Sequence, residues 1–335
     1  MLASKIIVPA PKIENRIFHK PLFCGPGPCD LWPSVVEALT RPAVSPICDE
    51  FYLILDDIRA GLKYLFQTKS DLVLAMSGSG HTGLEAVISN LVAPKETLLI
   101  ASRGIWDERA LNIAKRYDIN AIQFFVPFNA TFSLEQIEIE LKKARPTALF
   151  ITHGDSSTGT VQNLVGLGDL CHKYGALLLV DTVVSIAGVP FFMDEWGIDA
   201  VYASGQKALS GPAGISPVAF SARAETYLKF RAFLEPRYHH TMSPPLIWAL
   251  RRCLEEICKI TLPKFWEQHA HTTAHFHKRL QEFGFKFLVP KPEDRLATVT
   301  TIVLPDVLKE FNLVSREIFN KKAQMEYPIN KIIMA

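Results

Sequence analysis

Short apolar stretches alternate with longer amphipathic stretches from about residue 70 to residue 220. The apolar stretches have the length of single buried strands, and apolar residues recur between them at the three- and four-residue spacing of helices. This alternation predicts an α/β fold: a mainly parallel sheet with helices on both faces. The predicted strands cover residues 72–76, 97–101, 148–152, 176–181, 200–204 and 217–220, and the predicted helices cover 82–91, 106–117, 133–143 and 164–174.

The alternation stops after residue 236. Two long helical patterns follow at 246–260 and 265–283, and one strand pattern lies at 298–304. A chain of 335 residues is long enough for two domains. We therefore expect an N-terminal arm over residues 1–20, a large domain over 21–260, and a smaller, truncated and incomplete α+β domain over 261–335.

The charge balance limits the classes of partner. The chain has 36 basic and 34 acidic residues and a net charge of +2, so it has no field strong enough to favour nucleic acid or an anionic membrane. Its apolar runs fall far short of the roughly 20 residues that cross a bilayer. The six cysteines are scattered without a CxxC pair, which favours reduced thiols in an intracellular protein.

Two charged residues follow neighbouring predicted strands. Asp181 ends one strand, and Lys207 comes shortly after the next strand along the chain. Ligands of open α/β sheets bind beyond the carboxyl ends of the strands. Burial there lowers the pKa of a lysine and makes its amine a nucleophile toward aldehydes. An acid for a pyridine nitrogen and a lysine for an aldehyde are what pyridoxal phosphate requires.

A turn of small residues, Ser77 to Gly83, leads from a predicted strand into a predicted helix. The N–H groups at such a helix start can bind a phosphate. The same glycines also fit the G-x-G-x-x-G pattern of dinucleotide-binding folds. That alternative requires an acidic residue about 20 positions later, where Ser102 and Arg103 stand instead. Arg103 would suit a 2′-phosphate, which leaves an NADP-dependent oxidoreductase as an open alternative.

Other polar and aromatic residues also follow predicted strands. Trp106 is placed where an indole can stack on a flat heteroaromatic ring, or can simply pack in the core. Ser156 is suited to a cofactor hydroxyl, a substrate carboxylate or a plain turn. His271 and His275 are four residues apart within a predicted helix and could bind a metal. Glu267 is the only carboxylate close by and no strand-borne ligand is evident, so we predict a solvated face and no metal site.

Taken together, these residues resemble the alanine–glyoxylate aminotransferase family, which includes serine–pyruvate and 3-hydroxykynurenine transaminases, among the class-V, fold-type I pyridoxal-phosphate enzymes. The likeness extends from about residue 20 to residue 304. The stretches that carry it are residues 25–28 (GPGP), 77–81 (SGSGH), 104–106 (GIW), 152–159 (THGDSSTG), 180–181 (VD), 205–209 (GQKAL) and 238–241 (YHHT).

The resemblance implies a role for each matching residue. Lys207 would attach to pyridoxal phosphate through its amine, Asp181 would pair with the pyridine nitrogen, and Trp106 would stack on the ring. Tyr238 and Thr241 match positions that reach the phosphate of the partner subunit, which implies a homodimer. The phosphate would also contact Ser79, Gly80, His81 and Gln206, and the positions expected to face the substrate are Gly27 and Ser156.

The chain departs from the family pattern in two places. Between Phe230 and Pro236 it lacks a stretch that family members place before their Tyr-His-His-Thr motif. After about Lys321 the resemblance stops, and the arginine that binds the substrate carboxylate has no match. Neither Arg295 nor Arg316 lies in that arginine's motif.

We therefore expect a ping-pong aminotransferase that passes the amino group of alanine or serine to glyoxylate or another small 2-oxo acid. The resemblance implies a part in glyoxylate detoxification and a peroxisomal or mitochondrial location, although no clear targeting signal is present. The missing arginine motivates an alternative, a cofactor-binding but catalytically weak protein that acts through dimerisation.

Overall fold

The computed structural model describes residues 25–228, 241–303 and 331–334. The helices in this part of the chain are α1 (Pro33–Leu39), α2 (Asp49–Phe66), α3 (Gly80–Leu91), α4 (Ile105–Arg116), α5 (Leu134–Ala144), α6 (Leu167–Lys173), α7 (Ala222–Glu225), α8 (Pro244–Ile260) and α9 (Leu262–Glu282). The strands are β1 (Val73–Ser77), β2 (Thr97–Ser102), β3 (Asn120–Phe125), β4 (Ala148–Thr152), β5 (Gly154–Asp155), β6 (Thr160–Val161), β7 (Leu177–Asp181), β8 (Ala200–Tyr202), β9 (Ile215–Phe220), β10 (Lys286–Phe287), β11 (Thr300–Val303) and β12 (Lys331–Met334).

Seven of the described strands form one sheet in the order β1-β9-β8-β7-β4-β2-β3. The pairs β2–β3, β2–β4, β4–β7 and β7–β8 are parallel, whereas β9 is antiparallel to both of its neighbours. Parallel neighbours need long crossover connections, and α4, α5 and α6 lie in the connections between β2, β3, β4 and β7. The predicted α/β fold is confirmed.

Both faces of this sheet are buried. Along β7, Leu177 and Leu179 belong to one apolar core, while Leu178 and Val180 belong to another. Successive side chains of a strand point to opposite faces, so each core lies on one side of the sheet. This explains why the strand sequences are apolar throughout, as expected for parallel strands covered by helices.

The six predicted strands are all present, with ends within two residues of the predicted ones. The edge strand β3 was not predicted, because polar Asn120 and Gln123 interrupt its apolar pattern. Helix α2 was not predicted either, although its buried residues Phe51, Ile54 and Ile58 have helical spacing. The four predicted crossover helices correspond to α3, α4, α5 and α6.

Helix α8 packs on the large sheet's core. Its residues Leu250 and Leu254 join the same apolar cluster as Leu62 and Leu65 of α2. The helices approach closely at Gly61, where an added Cβ would lie 2.9 Å from the Cβ of Leu254. The cluster extends to Phe265 in α9. The proposed boundary between residues 260 and 261 falls between α8 and α9 and stays a prediction.

Beyond α9, the described strands β10, β11 and β12 form a small antiparallel sheet. The predicted strand at 298–304 corresponds to β11. Within the described ranges, no helix has the length and apolar character needed to cross a bilayer. The five cysteines in these ranges, Cys29, Cys48, Cys171, Cys253 and Cys258, are free thiols.

Candidate active site

Most of the predicted site residues meet at one edge of the large sheet. Asp181 ends β7, and Lys207 follows β8, its parallel neighbour. Ser156 follows β4 and β5, and Trp106 follows β2. The turn at residues 77–80 follows β1. Strands β1, β2, β4, β7 and β8 run in the same direction in the large sheet, so their carboxyl ends lie along the same edge.

Asp181 is a buried carboxylate with two donors. Its Oδ1 accepts from the backbone N–H of Val183 at 2.7 Å, and its Oδ2 accepts from the Tyr202 hydroxyl at 2.5 Å. Burial raises the pKa of Asp181 to about 7, and the two hydrogen bonds oppose that rise. A carboxylate held in this way is suited to a cation or a protonated ring nitrogen.

Lys207 lies under the segment that holds Gly27. Its Nζ donates to the carbonyl oxygen of Pro26 at 2.5 Å. Cys29 fixes the lysine's backbone, because its Sγ donates to the carbonyl of Lys207 at 2.9 Å and its N–H donates to that of Gln206 at 3.0 Å. Partial burial lowers the pKa of Lys207, and Cys29 and Asp181 oppose that shift. The lowered pKa increases the fraction of neutral, nucleophilic amine.

Gly27 is fitted closely to this lysine. Its φ of +104° is unfavourable for other residues. A Cβ added to Gly27 would lie 2.8 Å from the Nζ of Lys207. The structure therefore places Gly27, predicted to face the substrate, directly against the amine of Lys207.

The turn after β1 presents the start of α3. Ser79 is the N-cap residue, and Gly80 and His81 are the first helical residues. The Ser79 side chain makes no capping hydrogen bond, so it does not occupy the helix start. A Cβ on Gly80 would lie 3.0 Å from the Cβ of Ser204, whose hydroxyl donates to Oε1 of Gln206. The four residues predicted to contact a phosphate thus lie around one helix N-terminus, which favours an anion.

Trp106 and Ser156 are directly bonded. The indole Nε1–H donates to the Ser156 hydroxyl oxygen at 2.8 Å. Trp106 is half-buried at the start of α4, and Ser156 is buried. Because the serine oxygen accepts from the indole, its own hydrogen is directed elsewhere and can be donated to a ligand.

A buried charge cluster, which the sequence pattern did not predict, lies behind Trp106. The guanidinium of Arg103 donates to Oε1 of Gln162 at 2.9 Å and to the carbonyl of Thr152 at 2.5 Å. Asp107 caps α4 by accepting from the N–H groups of Arg103 and Gly104, both at 2.9 Å. The Arg103 side chain is therefore engaged inside the protein and cannot bind the 2′-phosphate of a dinucleotide, as the oxidoreductase alternative requires.

Two residues predicted to reach the phosphate of a partner subunit, Tyr238 and Thr241, are not among the residues described above. Tyr238 falls outside the described residues. Thr241 is exposed, just before α8.

Sequence reasoning missed Tyr202, Val183 and Cys29. Tyr202 is an aromatic residue within an apolar strand and resembles ordinary core, whereas Cys29 stands beside the Gly25–Pro28 stretch that carries the family likeness.

Comparison with known proteins identifies the family of the chain. The family model described as aminotransferase class-V matches residues 36–313. The chain is 38% identical to the alanine–glyoxylate aminotransferase of Rattus norvegicus, over 91% of this chain and 79% of that protein. It is 36% identical to the alanine–glyoxylate aminotransferase of Drosophila melanogaster, over 89% of this chain and 82% of that protein.

Solved structures of aminotransferases have the same fold as this chain. An alanine–glyoxylate aminotransferase from Nostoc sp. superposes with a TM-score of 0.88 and 33% identity, covering 96% of this chain and 91% of that chain. The ureidoglycine–glyoxylate aminotransferase from Bacillus subtilis superposes with a TM-score of 0.81 and 27% identity, covering 87% and 80%. These similarities support transamination, and they support neither the oxidoreductase nor the catalytically weak alternative.

Proposed function

Because the chain belongs to the class-V aminotransferase family, whose members use pyridoxal phosphate, we propose that it transfers the amino group of alanine or serine to glyoxylate or another small 2-oxo acid. The observation that carries this proposal is the placement of Asp181 and Lys207 after the carboxyl ends of two adjacent parallel strands, β7 and β8. The two side chains interact electrostatically. One supplies an amine of lowered pKa, and the other supplies a buried carboxylate.

The described residues fit pyridoxal phosphate. The N-terminus of α3 offers N–H donors for its phosphate, and the lack of a Cβ at Gly80 lets this helix start pack closely against Ser204. The indole of Trp106, held by its bond to Ser156, is the aromatic group that we propose to stack on the cofactor ring. When bound, the cofactor supplies an electrophilic aldehyde and an electron-withdrawing ring. The residues that we propose to hold it are Lys207, Asp181, Trp106, Ser79, Gly80, His81, Ser156 and Gln206.

Each charged residue has a distinct task in this proposal. Lys207 would hold the cofactor through Nζ and, once free, its amine would take the proton from the substrate Cα as a general base. Its lowered pKa suits that task, because a general base works best when its pKa lies near the working pH. Asp181 would accept a hydrogen bond from the ring nitrogen of the cofactor and so favour its protonated form.

The acceptor is proposed from the relatives. The alanine–glyoxylate and ureidoglycine–glyoxylate enzymes both carry glyoxylate in their names, and the amino donor differs between them. Gly27 and Ser156 lie where a small substrate would meet Lys207 and Trp106. A role in glyoxylate detoxification follows from this acceptor.

We also propose a homodimer and a peroxisomal or mitochondrial location, both on the strength of the family resemblance. The dimer would bring Tyr238 and Thr241 of one subunit to the phosphate of the other. Exposure of Thr241 is compatible with this arrangement.

The test is to purify the chain with pyridoxal phosphate, record its visible absorption and measure alanine-to-glyoxylate transfer. Lys207→Ala should abolish the cofactor attachment that borohydride fixes and should lower kcat by about 10²- to 10⁴-fold, the usual contribution of a general base. Lys173→Ala, at an exposed lysine paired with Glu138, is the matched control and should change neither. Borohydride-fixed cofactor at the same site in Lys207→Ala would refute the assignment.

A further inference from the structure

We propose that Tyr202 is a positioning residue for the reaction: its hydroxyl holds the Asp181 carboxylate in place and in its charged form. The inference rests on the proposed function, since it assigns a partner to the carboxylate that would face the cofactor ring.

The geometry comes from strand register. Asp181 at the end of β7 is the direct partner of Tyr202 at the end of β8, and the tyrosine hydroxyl donates to Oδ2 of Asp181 at 2.5 Å. The N–H and hydroxyl groups of Thr182 donate to the carbonyl of Tyr202 at 3.0 and 2.8 Å, which fixes the tyrosine backbone. Tyr202 is 2% exposed, and an added Cβ on Gly83 of α3 would lie 3.3 Å from Cδ2 of its ring. The ring therefore has little freedom to move.

The charges around Asp181 show why this donor matters. Asp107 from α4 and Asp155 from β5 both raise the pKa of Asp181, as burial does. The Lys207 amine interacts with Asp181 from beyond β8. The pKa of Asp181 is lowered by two hydrogen bonds, one from the N–H of Val183 and one from the hydroxyl of Tyr202. The tyrosine hydroxyl thus lowers the pKa that the negative charges of Asp107 and Asp155 raise.

Tyr202 can keep this role across the working pH range. Burial and the adjacent carboxylate raise its own pKa well above the usual value. Its hydroxyl therefore stays protonated and acts as a donor. A phenylalanine would fill the same space without the donor, so Tyr202→Phe separates this role from simple core packing.

The first experiment needs no cofactor and measures unfolding of the apo chain in urea between pH 6 and pH 9. The folded-state pKa of Asp181 is raised to about 7, so its protonated form stabilises the fold at low pH, and that stabilisation is lost as pH rises through the folded pKa. Without the tyrosine hydroxyl the folded pKa is higher still, and the loss continues above pH 7.

The unfolding constant of Tyr202→Phe, relative to wild type, should therefore grow about tenfold from pH 6 to pH 9 for each unit by which the pKa rises. In an Asp181→Asn background this growth should disappear. A Tyr202→Phe effect that is the same at both pH values, or that still grows when Asp181 is asparagine, would overturn the inference.

The second experiment measures the affinity for pyridoxal phosphate against pH. Protonation of Asp181 removes the charge that a protonated ring nitrogen needs, so affinity should fall at acid pH, and Tyr202→Phe should move that fall upward by about one pH unit. Tyr174→Phe removes a hydroxyl that bonds Glu138 at 2.9 Å on the surface and should leave the curve unchanged.

The outcomes separate the two proposals. Curves of wild type and Tyr202→Phe that differ by a constant factor at all pH values would overturn the positioning role. Failure of the wild type to bind pyridoxal phosphate would refute the proposed function, and the cofactor-free experiment would still decide whether Tyr202 controls Asp181.

Discussion

Replacing Arg103 with methionine should strongly destabilise the fold. Arg103 is a buried cation whose guanidinium donates to Gln162 and Thr152. The buried carboxylates Asp107 and Asp155 both interact with it electrostatically. Methionine has a similar length but can satisfy none of these groups. Removing one partner from a buried charged cluster typically costs about 3–5 kcal/mol, because the remaining charges and acceptors stay unpaired.

The loss should depend on pH in a specific direction. Burial and the neighbouring Asp155 raise the pKa of Asp107 to about 6, and Arg103 opposes that rise. Without Arg103 the folded-state pKa of Asp107 should rise further. A raised folded-state pKa gives stability that is present at low pH and is lost as pH rises. The variant's deficit should therefore be smaller at pH 5 than at pH 8.

The assay is urea unfolding at both pH values. Arg251→Met is the control, because Arg251 is a partly exposed surface residue paired with Asp57 at 2.7 Å; its loss should cost less than about 1 kcal/mol with little change between pH 5 and pH 8. If Arg103→Met loses less than about 1 kcal/mol, or loses the same at both pH values, the reasoning about the buried cluster is refuted.

Two further predictions concern glycines of the candidate site. Gly27→Ala places a methyl group 2.8 Å from the Nζ of Lys207 at a φ of +104°; strain of about 1–3 kcal/mol should weaken pyridoxal phosphate affinity about tenfold in an absorption titration, and unchanged affinity would contradict the close fit. Gly80→Ala crowds Ser204 at the start of α3 and should weaken binding of pyridoxal phosphate about fivefold while leaving binding of pyridoxal, which has no phosphate, unchanged; an equal loss for both would argue against a phosphate cradle there.

Much of the large sheet was predictable because its strands are apolar on both faces. The stretch 148–152 matches β4 residue for residue, since helices cover both of its sides. The antiparallel direction of β9 was not predictable, because an apolar run looks the same in either direction. Strand β3 lies at the sheet edge, where exposed Asn120 and Phe125 break the pattern.

The site shows the same division. Asp181 and Lys207 could be proposed from the sequence because a charged residue stands out after an apolar strand. The hydrogen bond between Arg103 and Gln162 joins residues that are far apart in the chain, so the sequence pattern could not predict it. For that reason Arg103 was interpreted as a possible partner of a dinucleotide 2′-phosphate. The role of Tyr202 could not be predicted, because an aromatic residue at the end of the apolar strand β8 has the sequence pattern of an ordinary core residue.

The antiparallel strand β9 also has a consequence for how the chain acquires its shape during synthesis. Strand β1 pairs with β9 alone in the large sheet, and the N–H of Gly78 donates to the carbonyl of Gly214 at 2.9 Å. The turn after β1, the first of the seven strands along the chain, can therefore be fixed only after β9, the last of them, has been synthesised. Pairing across such a distance is slow, so we expect β1 to stay unpaired in the nascent chain until β9 has been synthesised, a state in which aggregation competes with folding.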